Sequence, residues 1–305
     1  MVTESAELSG PAGVGAGRRP RRRLGLLRRL AERRSPRRVK VSSALRLYHE
    51  VLGLEHLHYG LWNGEGYTLE GLKAAQDRFS RHLCSWMPEG VRSVLDVGCG
   101  IGSTAAMLRR TGYEVEGLSP DPYHRDVFLR RVGAPFHLAR FQEFAPRRRY
   151  DLVLMSESAQ YIWLDRLFPA VRRSVLPGGY LLVADYFTVD GCEGLLARSG
   201  HPLDGFLEEA RAEGFALERQ EDITDRTAPT LDLARRWIDS YVEPCVSVAS
   251  QALRNRHPHL ARMLRWLFRR RLEKLERLRQ LVDSQEFRRH KRYMILRFRV
   301  GPEPG

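Results

Sequence analysis

Cysteine is scarce, with four in 305 residues (Cys84, Cys99, Cys192 and Cys245), and they form no C-x-x-C pair and no zinc-type spacing. That pattern excludes a disulfide-stapled scaffold and fits reduced thiols of a cytoplasmic protein. No apolar run reaches the roughly eighteen residues that cross a bilayer, and no stretch reads as a signal-peptide core, so neither a membrane-spanning nor a secreted class is expected. Acids are too few to balance the bases: 37 Asp and Glu stand against 51 Lys and Arg, a formal charge of +14 at pH 7. The excess is peripheral. Residues 17–40 are Arg-rich, residues 254–299 are basic too, and the stretch between them is mildly acidic. The first forty residues, rich in Gly, Pro, Ser and Arg, are expected as a disordered tail with a short amphipathic helix around Leu24, Leu27 and Leu30. Such a tail, like the basic segment near the other end, suits peripheral contact with anionic lipid; a solvated Arg-biased extension is the plainer reading.

What the chain does have is concentrated in residues 94–105, Val-Leu-Asp-Val-Gly-Cys-Gly-Ile-Gly-Ser-Thr-Ala. Val94, Leu95 and Val97 supply the apolar run of a buried parallel strand, and Gly98, Gly100 and Gly102 let the backbone turn and approach a ligand closely. A helix should follow over 101–110. A dinucleotide fingerprint would read G-x-G-x-x-G and seat a pyrophosphate on that helix, but here the third glycine comes one residue early and Ser103 stands in its place. Asp96 lies inside the end of the strand, where a carboxylate suits a cationic ligand better than a pyrophosphate.

This Asp-x-Gly-Cys-Gly-x-Gly pattern resembles motif I of the class I S-adenosylmethionine-dependent methyltransferases, which implies Asp96, Gly98, Cys99, Gly100 and Gly102 as cofactor contacts. Later blocks follow in the family's order. A second strand over 113–118 leads into Gly-Leu-Ser-Pro-Asp-Pro, similar to the variant of the cyclopropane-fatty-acid synthase and tocopherol or sterol methyltransferase groups. There a hydroxyl residue replaces the acid that otherwise holds the ribose. The resemblance therefore points to Ser119 and Pro120, with Asp121 or Glu116 as further groups within reach. After a third strand, 135–138, the family's acidic turn is missing. Phe141 is read either as a stacking face for adenine with Gln142 beside it, or as core. A fourth strand, 150–155, ends in Ser-Glu-Ser-Ala-Gln-Tyr, and Ser156 falls at the ligand-binding end of the sheet. No Asn-Pro-Pro-Tyr-like tetrapeptide for a flipped base follows it, which favours a small-molecule substrate. Leu-x-Pro-Gly-Gly at 176–179 before a strand over 180–185 is another family hallmark. Upstream, His56-Leu-His58-Tyr59-Gly60-Leu-Trp62 resembles the segment that lies over the cofactor in the same groups, so Tyr59 and Gly60 are expected at its methionine end or, alternatively, as anchors on the core.

The resemblance implies an α/β fold: a Rossmann-like seven-stranded methyltransferase sheet, helices on both faces, and a helical lid inserted before the last strand. The expected organisation is a tail (1–40), an N-terminal helical cap (41–90), the S-adenosylmethionine-binding core (91–224), a lid (225–288), and the last strand with a short tail (289–305). The lid carries a stripe of Leu260, Leu264, Leu267, Leu272, Leu275 and Leu278. It is read as packing against the core in preference to anchoring in a membrane. His257 and His259 within it lack a third ligand at suitable spacing, and no metal is expected.

The implied chemistry is methyl transfer from a sulfonium to a nucleophile held in line. Glu157 is the leading catalytic candidate because a carboxylate there serves as a base for an amine or hydroxyl, or stabilises a cation formed from a double bond. Its plainer reading is a capping or salt-bridged acid. Tyr161 and His58 are the other catalytic candidates. Tyr48, Tyr59, Trp62, Tyr67, Tyr161, Trp163 and Tyr186 favour a hydrophobic, lipid-like or natural-product acceptor, methylated at carbon, nitrogen or oxygen. The alternatives are an RNA methyltransferase, suggested by the basic ends, and an inactive cofactor-binding interaction protein. Oligomeric state is not legible.

Overall fold

The computed structural model describes residues 46–260, 262–263 and 280–302. The Arg-rich tail, its leucines at 24, 27 and 30, and the lid leucines Leu264, Leu267, Leu272, Leu275 and Leu278 lie outside the described residues. Seven strands form one sheet: β1 (Ser93–Val97), β2 (Glu114–Ser119), β3 (Phe136–Leu138), β4 (Tyr150–Ser156), β5 (Val175–Thr188), β6 (Phe215–Asp222) and β7 (Lys291–Val300). Their order is β3-β2-β1-β4-β5-β7-β6, parallel except for β7, which runs antiparallel to both neighbours.

Side-chain alternation along the central strands decides what each face buries. Leu95, Val153, Met155, Leu181, Val183 and Leu296 point into one core, while Val94, Leu152, Leu154, Leu182, Ala184 and Ile295 point into the other. Both faces are covered, so the central strands carry continuous apolar runs, such as residues 152–155 and 180–184, instead of an apolar residue at every second position. The first core is closed by α4 (Leu164–Ser174) and α5 (Leu203–Ala212) through Leu167, Phe168, Val171 and Phe206. The second is closed by α1 (Leu69–Cys84), α2 (Ser103–Arg110) and α3 (Pro122–Val132) through Phe79, Leu83, Leu108 and Phe128. Helix starts are marked by polar caps: Thr68 accepts from the Gly71 amide, and Asp121 from that of Tyr123.

Strand β5 begins earlier and ends later than the 180–185 expectation. Val175 already pairs with Tyr150, and the register shifts before Leu152 meets Tyr180, so the Leu-Pro-Gly-Gly turn is absorbed into the strand as an irregularity. Its far end runs on to Thr188 because β7 pairs with it all the way to Lys291.

Between β6 and β7 lie α6 (Thr224–Thr227), α7 (Pro229–Trp237), a π-helical turn (Ile238–Val242), α8 (Glu243–Arg256) and α9 (Ser284–His290). The root of this insertion is tied down. Leu233 joins Leu54, Trp62, Leu72 and Ala75 in a small third cluster, and Thr230 accepts hydrogen bonds from the Gly60 amide (3.0 Å) and from Trp62 Nε1 (2.9 Å). No described helix is long and apolar enough to cross a membrane.

Candidate active site

Ligands of open α/β sheets sit beyond the carboxyl ends of the strands, where the strand order reverses. Here that point is the loop after β1, with β2 on one side and β4 on the other. Gly98 has φ +78°, and a Cβ there would lie 2.4 Å from the Ser158 Cβ; the Ser158 hydroxyl donates to the Val97 carbonyl at 2.6 Å, so loop and β4 end are locked face to face. Gly100 differs. At φ +52° its Cβ would meet only Leu57, at 3.6 Å, which leaves open space above the loop.

Directly after β4, Glu157 adopts φ +49°, the one left-handed non-glycine among the described residues. Such a conformation costs about 1–2 kcal/mol and persists where surrounding bonds impose it. The Glu157 amide donates to the Ala184 carbonyl at 2.8 Å, and its Oε1 accepts from both the Tyr59 amide and the Tyr293 hydroxyl at 2.8 Å. Desolvation pushes the Glu157 carboxyl up to about 7 against the pull of these two donors. Asp185, at the carboxyl end of the parallel part of β5, accepts from the Gln160 and Tyr186 amides and is raised to about 8, by burial first and by the nearby Glu157 charge second. An aromatic wall stands beside the two acids: Tyr59, Tyr186, Tyr293 and Phe287 lie with centroids 5.7–6.5 Å apart.

The sequence matches the methyltransferase-domain family over residues 21–272. The chain belongs to that family. Among curated proteins it is similar to the methyltransferase GfsG of Streptomyces halstedii, 27% identical over 206 residues, 58% of this chain and 71% of that protein. It is also similar to the 2-methyl-6-phytyl-1,4-hydroquinone methyltransferase of a Synechocystis strain, 28% identical over 214 residues, 61% of this chain and 65% of that protein. The fold is shared with geranyl diphosphate C-methyltransferase from Streptomyces coelicolor A3(2), solved with Mg2+, geranyl diphosphate and S-adenosyl-L-homocysteine: TM-score 0.60, 16% identity, 85% of this chain and 93% of that one.

The methyltransferase uses S-adenosyl-L-methionine, and the residues around the β1 loop fit that cofactor. Asp96 is buried, and burial alone lifts its carboxyl to about 7; a cationic group brought beside it would restore its charge. Ser156 Oγ, at the end of β4, is buried with no partner among the described residues. With the open space over Gly100, these are a cradle, a carboxyl and an orphan hydroxyl that an amino acid carrying an adenosyl sulfonium would engage. Cys99 lies in the same loop with its thiol pushed far up by burial, so it stays protonated.

The other expected residues divide. Tyr59 meets Glu157 through its amide, whereas Gly60 is wedged against Ala75, where a Cβ would come within 2.6 Å of that side chain, and donates to Thr230. Phe141 is 2% exposed and belongs to the core beside Leu95, Leu118 and Tyr150, because the short 3-10 turn Phe141–Glu143 rolls its ring inward; the core reading replaces the stacking one, and Gln142 is half-buried beside Arg173 in a surface hollow of the loop before β4. His58 has both ring nitrogens engaged, Nδ1 with the Tyr59 carbonyl (2.8 Å) and Nε2 with Ser80 Oγ (3.0 Å), and desolvation lowers it to about 3. It is a wall residue, not a base. Tyr161 stands at the rim, 78% exposed, on the turn Ala159–Tyr161. Glu116 is spent on His137 Nε2, Arg148 and the Tyr150 hydroxyl, which removes it as a ribose contact. Pro120 is exposed. Of the expected aromatic mouth, Trp62 is buried, Tyr48, Tyr67, Tyr161 and Trp163 are exposed, and Tyr59, Tyr161 and Tyr186 feel the charge of Glu157. Sequence reading missed Tyr293, Phe287 and Thr230, none of which carries a local motif.

Proposed function

We propose that this methyltransferase transfers its methyl group to a small hydrophobic acceptor, of the natural-product or lipid-like kind, held beside the aromatic cluster of Tyr59, Tyr186, Tyr293 and Phe287. The carrying observation is that two carboxyl groups held near neutrality, Glu157 and Asp185, lie against that apolar wall. When bound, the cofactor supplies a methyl carbon already activated by its sulfonium. The chain has then to hold the nucleophile in line, keep water out, and dispose of charge. For an O–H or N–H acceptor, Glu157 takes the proton as the new bond to carbon forms. For a carbon acceptor, the same carboxylate and the ring faces stabilise the cation before a proton is lost. The relatives' names agree with such acceptors: one is a phytyl hydroquinone, and the solved C-methyltransferase holds geranyl diphosphate.

The deciding experiment is incubation with methyl-labelled cofactor and fractionated cell extract, followed by mass spectrometry. Label in an apolar small-molecule fraction supports the reading. Label confined to RNA would transfer the assignment to nucleic acid, and no transfer despite cofactor binding would favour an inactive interaction protein.

The lid also supports peripheral contact with anionic lipid. Helix α8 has no buried residue, and Tyr241, Val242, Val246 and Val248 are 66%, 53%, 53% and 67% exposed. With Cys245 and Leu253 they fill an arc of roughly 160° on a helix, opposite Glu243, Ser247 and Arg254. Basic residues follow at Arg254, Arg256, Arg262 and Arg265, the pattern of an interfacial helix on acidic headgroups. Co-sedimentation with phosphatidylglycerol-containing vesicles is expected to be strong at low salt and weak with phosphatidylcholine alone. The double variant Val242→Glu, Val246→Glu should lose about tenfold in vesicle binding; retention by that variant would remove the helix from this role.

A further inference from the structure

Four successive amides ahead of α1 leave the chain in four directions. Tyr59 donates to Glu157 Oε1 (2.8 Å), Gly60 to Thr230 Oγ1 (3.0 Å), Leu61 to the Ala75 carbonyl (2.8 Å) and Trp62 to the Arg226 carbonyl (2.8 Å). The acceptors stand just past β4, on α7, on α1 and on α6. Two of them are backbone carbonyls, which any residue supplies. The other two are the side chains of Glu157 and Thr230, so Thr230 is the one anchor of residues 59–62 outside the carboxyl itself that depends on residue identity.

The direction of both bonds at Thr230 is fixed by their donors. A backbone amide and an indole N–H can only donate, so the hydroxyl oxygen accepts twice, from Gly60 and from Trp62 Nε1 at 2.9 Å, and both of its lone pairs are filled. Thr230 has little freedom of its own. It is the second residue of α7, whose start is set by Pro229 and buried through Ala228, Leu231 and Leu233, and its branched side chain is stiff at χ1. Gly60 is equally confined, because a Cβ there would lie 2.6 Å from that of Ala75 and 3.1 Å from Trp62 Nε1.

The amide one residue back is the one that reaches Glu157, and Glu157 cannot follow if it moves. Its backbone is left-handed at φ +49°, and its own amide is tied to the Ala184 carbonyl. The titratable groups that face it are Asp185 and Tyr186 from β5, Tyr161 from the turn after β4, Tyr59 from the N-terminal segment and Tyr293 from β7. All of these are neutral or negative. Among the described residues, the ionised form of Glu157 is therefore supported by the Tyr59 amide and the Tyr293 hydroxyl alone.

We propose that Thr230, at the root of the lid insertion, is a positioning residue for Glu157: by holding the Gly60 amide and the Trp62 indole it keeps the Tyr59 amide on Oε1. This rests on the reading of Glu157 as the group that takes the proton or stabilises the cation. Its consequence is that the lid root and the carboxylate form one mechanical unit, and that a displaced α7 costs the site its ionised acid.

Thr230→Val keeps the shape and removes the oxygen, whereas Thr230→Ser keeps the oxygen. The first readout is the 13C titration of the Glu157 carboxyl in the full chain without cofactor, its signal assigned by its absence from Glu157→Gln. Wild type should turn at about pH 7, Thr230→Val about one pH unit later, and Thr230→Ser with wild type, since losing one charge-assisted donor weakens the ionised form roughly tenfold. The second readout is kcat against pH, with the extract fraction that accepts label as substrate. Thr230→Val should lose about tenfold at about pH 6 and converge with wild type above about pH 9, a recovery that a merely loosened fold would not show. An unmoved or lowered carboxyl midpoint in Thr230→Val overturns the assignment, as does a loss of kcat that is equal at every pH or that Thr230→Ser fails to rescue. Should the valine variant not fold, the wild-type indole signal of Trp62 decides: a shift that follows the Glu157 midpoint supports the assignment, because linkage is reciprocal, and a signal indifferent to pH across that range overturns it. A wild-type kcat without a limb near 7, beside a carboxyl midpoint that Thr230→Val does move, removes Glu157 from the chemistry and leaves the hold of Thr230 over it intact.

Discussion

Gly98→Ala is expected to lower affinity for S-adenosylhomocysteine by roughly 100-fold and to reduce thermal stability by several degrees. Two costs add. The left-handed backbone at φ +78° carries a penalty of about 1–2 kcal/mol for any residue with a Cβ. The new methyl would also fall 2.4 Å from the Ser158 Cβ, far inside van der Waals contact. Ser158 cannot step aside without breaking its 2.6 Å bond to the Val97 carbonyl, so either the loop moves off β4 or the end of β1 does. Gly100→Ala separates the two effects. Its conformation is also left-handed, but only Leu57 lies near, at 3.6 Å, so the fold should lose no more than about 1–2 kcal/mol while the methyl occupies space a ligand needs. Calorimetric binding and thermal unfolding on both variants check the contrast. Gly100→Ala binding as tightly as wild type would show that the space over the loop is not where the ligand lies.

The β1 loop and the buried central strands were legible because each rests on local pattern, while the seven-stranded sheet came from the resemblance and its strand order from the structure alone. Continuous apolar runs at β1, β4 and β5 are what strands covered on both faces require, and three glycines at alternate positions mark a turn whatever surrounds it. For Asp96 and Ser156 what was legible is their place at the carboxyl ends of β1 and β4, the end of the sheet where ligands of such folds bind. The partnerships that define the site were not legible. Glu157 and Tyr293 are 136 positions apart, and Tyr59 and Glu157 are 98 apart; such pairs depend on how β7 enters the sheet and how the N-terminal segment is pinned by Thr230. His58 read as a catalytic candidate because it lies in the segment expected over the pocket, but the Tyr59 carbonyl holds its proton on Nδ1 and Ser80 on α1 occupies Nε2. Phe141 reads equally as platform or core, and only the direction of a three-residue turn settles it.

Glu157→Gln should reduce kcat by about 10²–10³ at saturating acceptor if the carboxylate takes the proton or stabilises the cation. The substitution is well suited to the question, because both bonds from Tyr59 and Tyr293 end on Oε1, which the amide retains as an acceptor. Tyr293 remains a donor throughout, since its phenol is raised far above its ordinary value by burial and by the neighbouring acids. The pH dependence gives a second, independent reading. A base must be ionised, so wild-type kcat should climb as pH rises through about 7, and the variant should lack that limb. Stability moves the opposite way. The folded protein holds the Glu157 proton up to about 7, whereas the unfolded chain releases it near 4.5, so the contribution is fully present below 4.5 and is lost as pH rises through 7. Glutamine does not titrate, and the variant should therefore gain stability relative to wild type across that window and keep the gain above it. Removing the charge also removes one of the causes that raise Asp185, whose carboxyl should fall below its value of about 8. Unchanged kcat together with the stability shift would mean that the strained carboxylate is a clamp joining the N-terminal segment to β7, and that the methyl acceptor delivers its proton elsewhere.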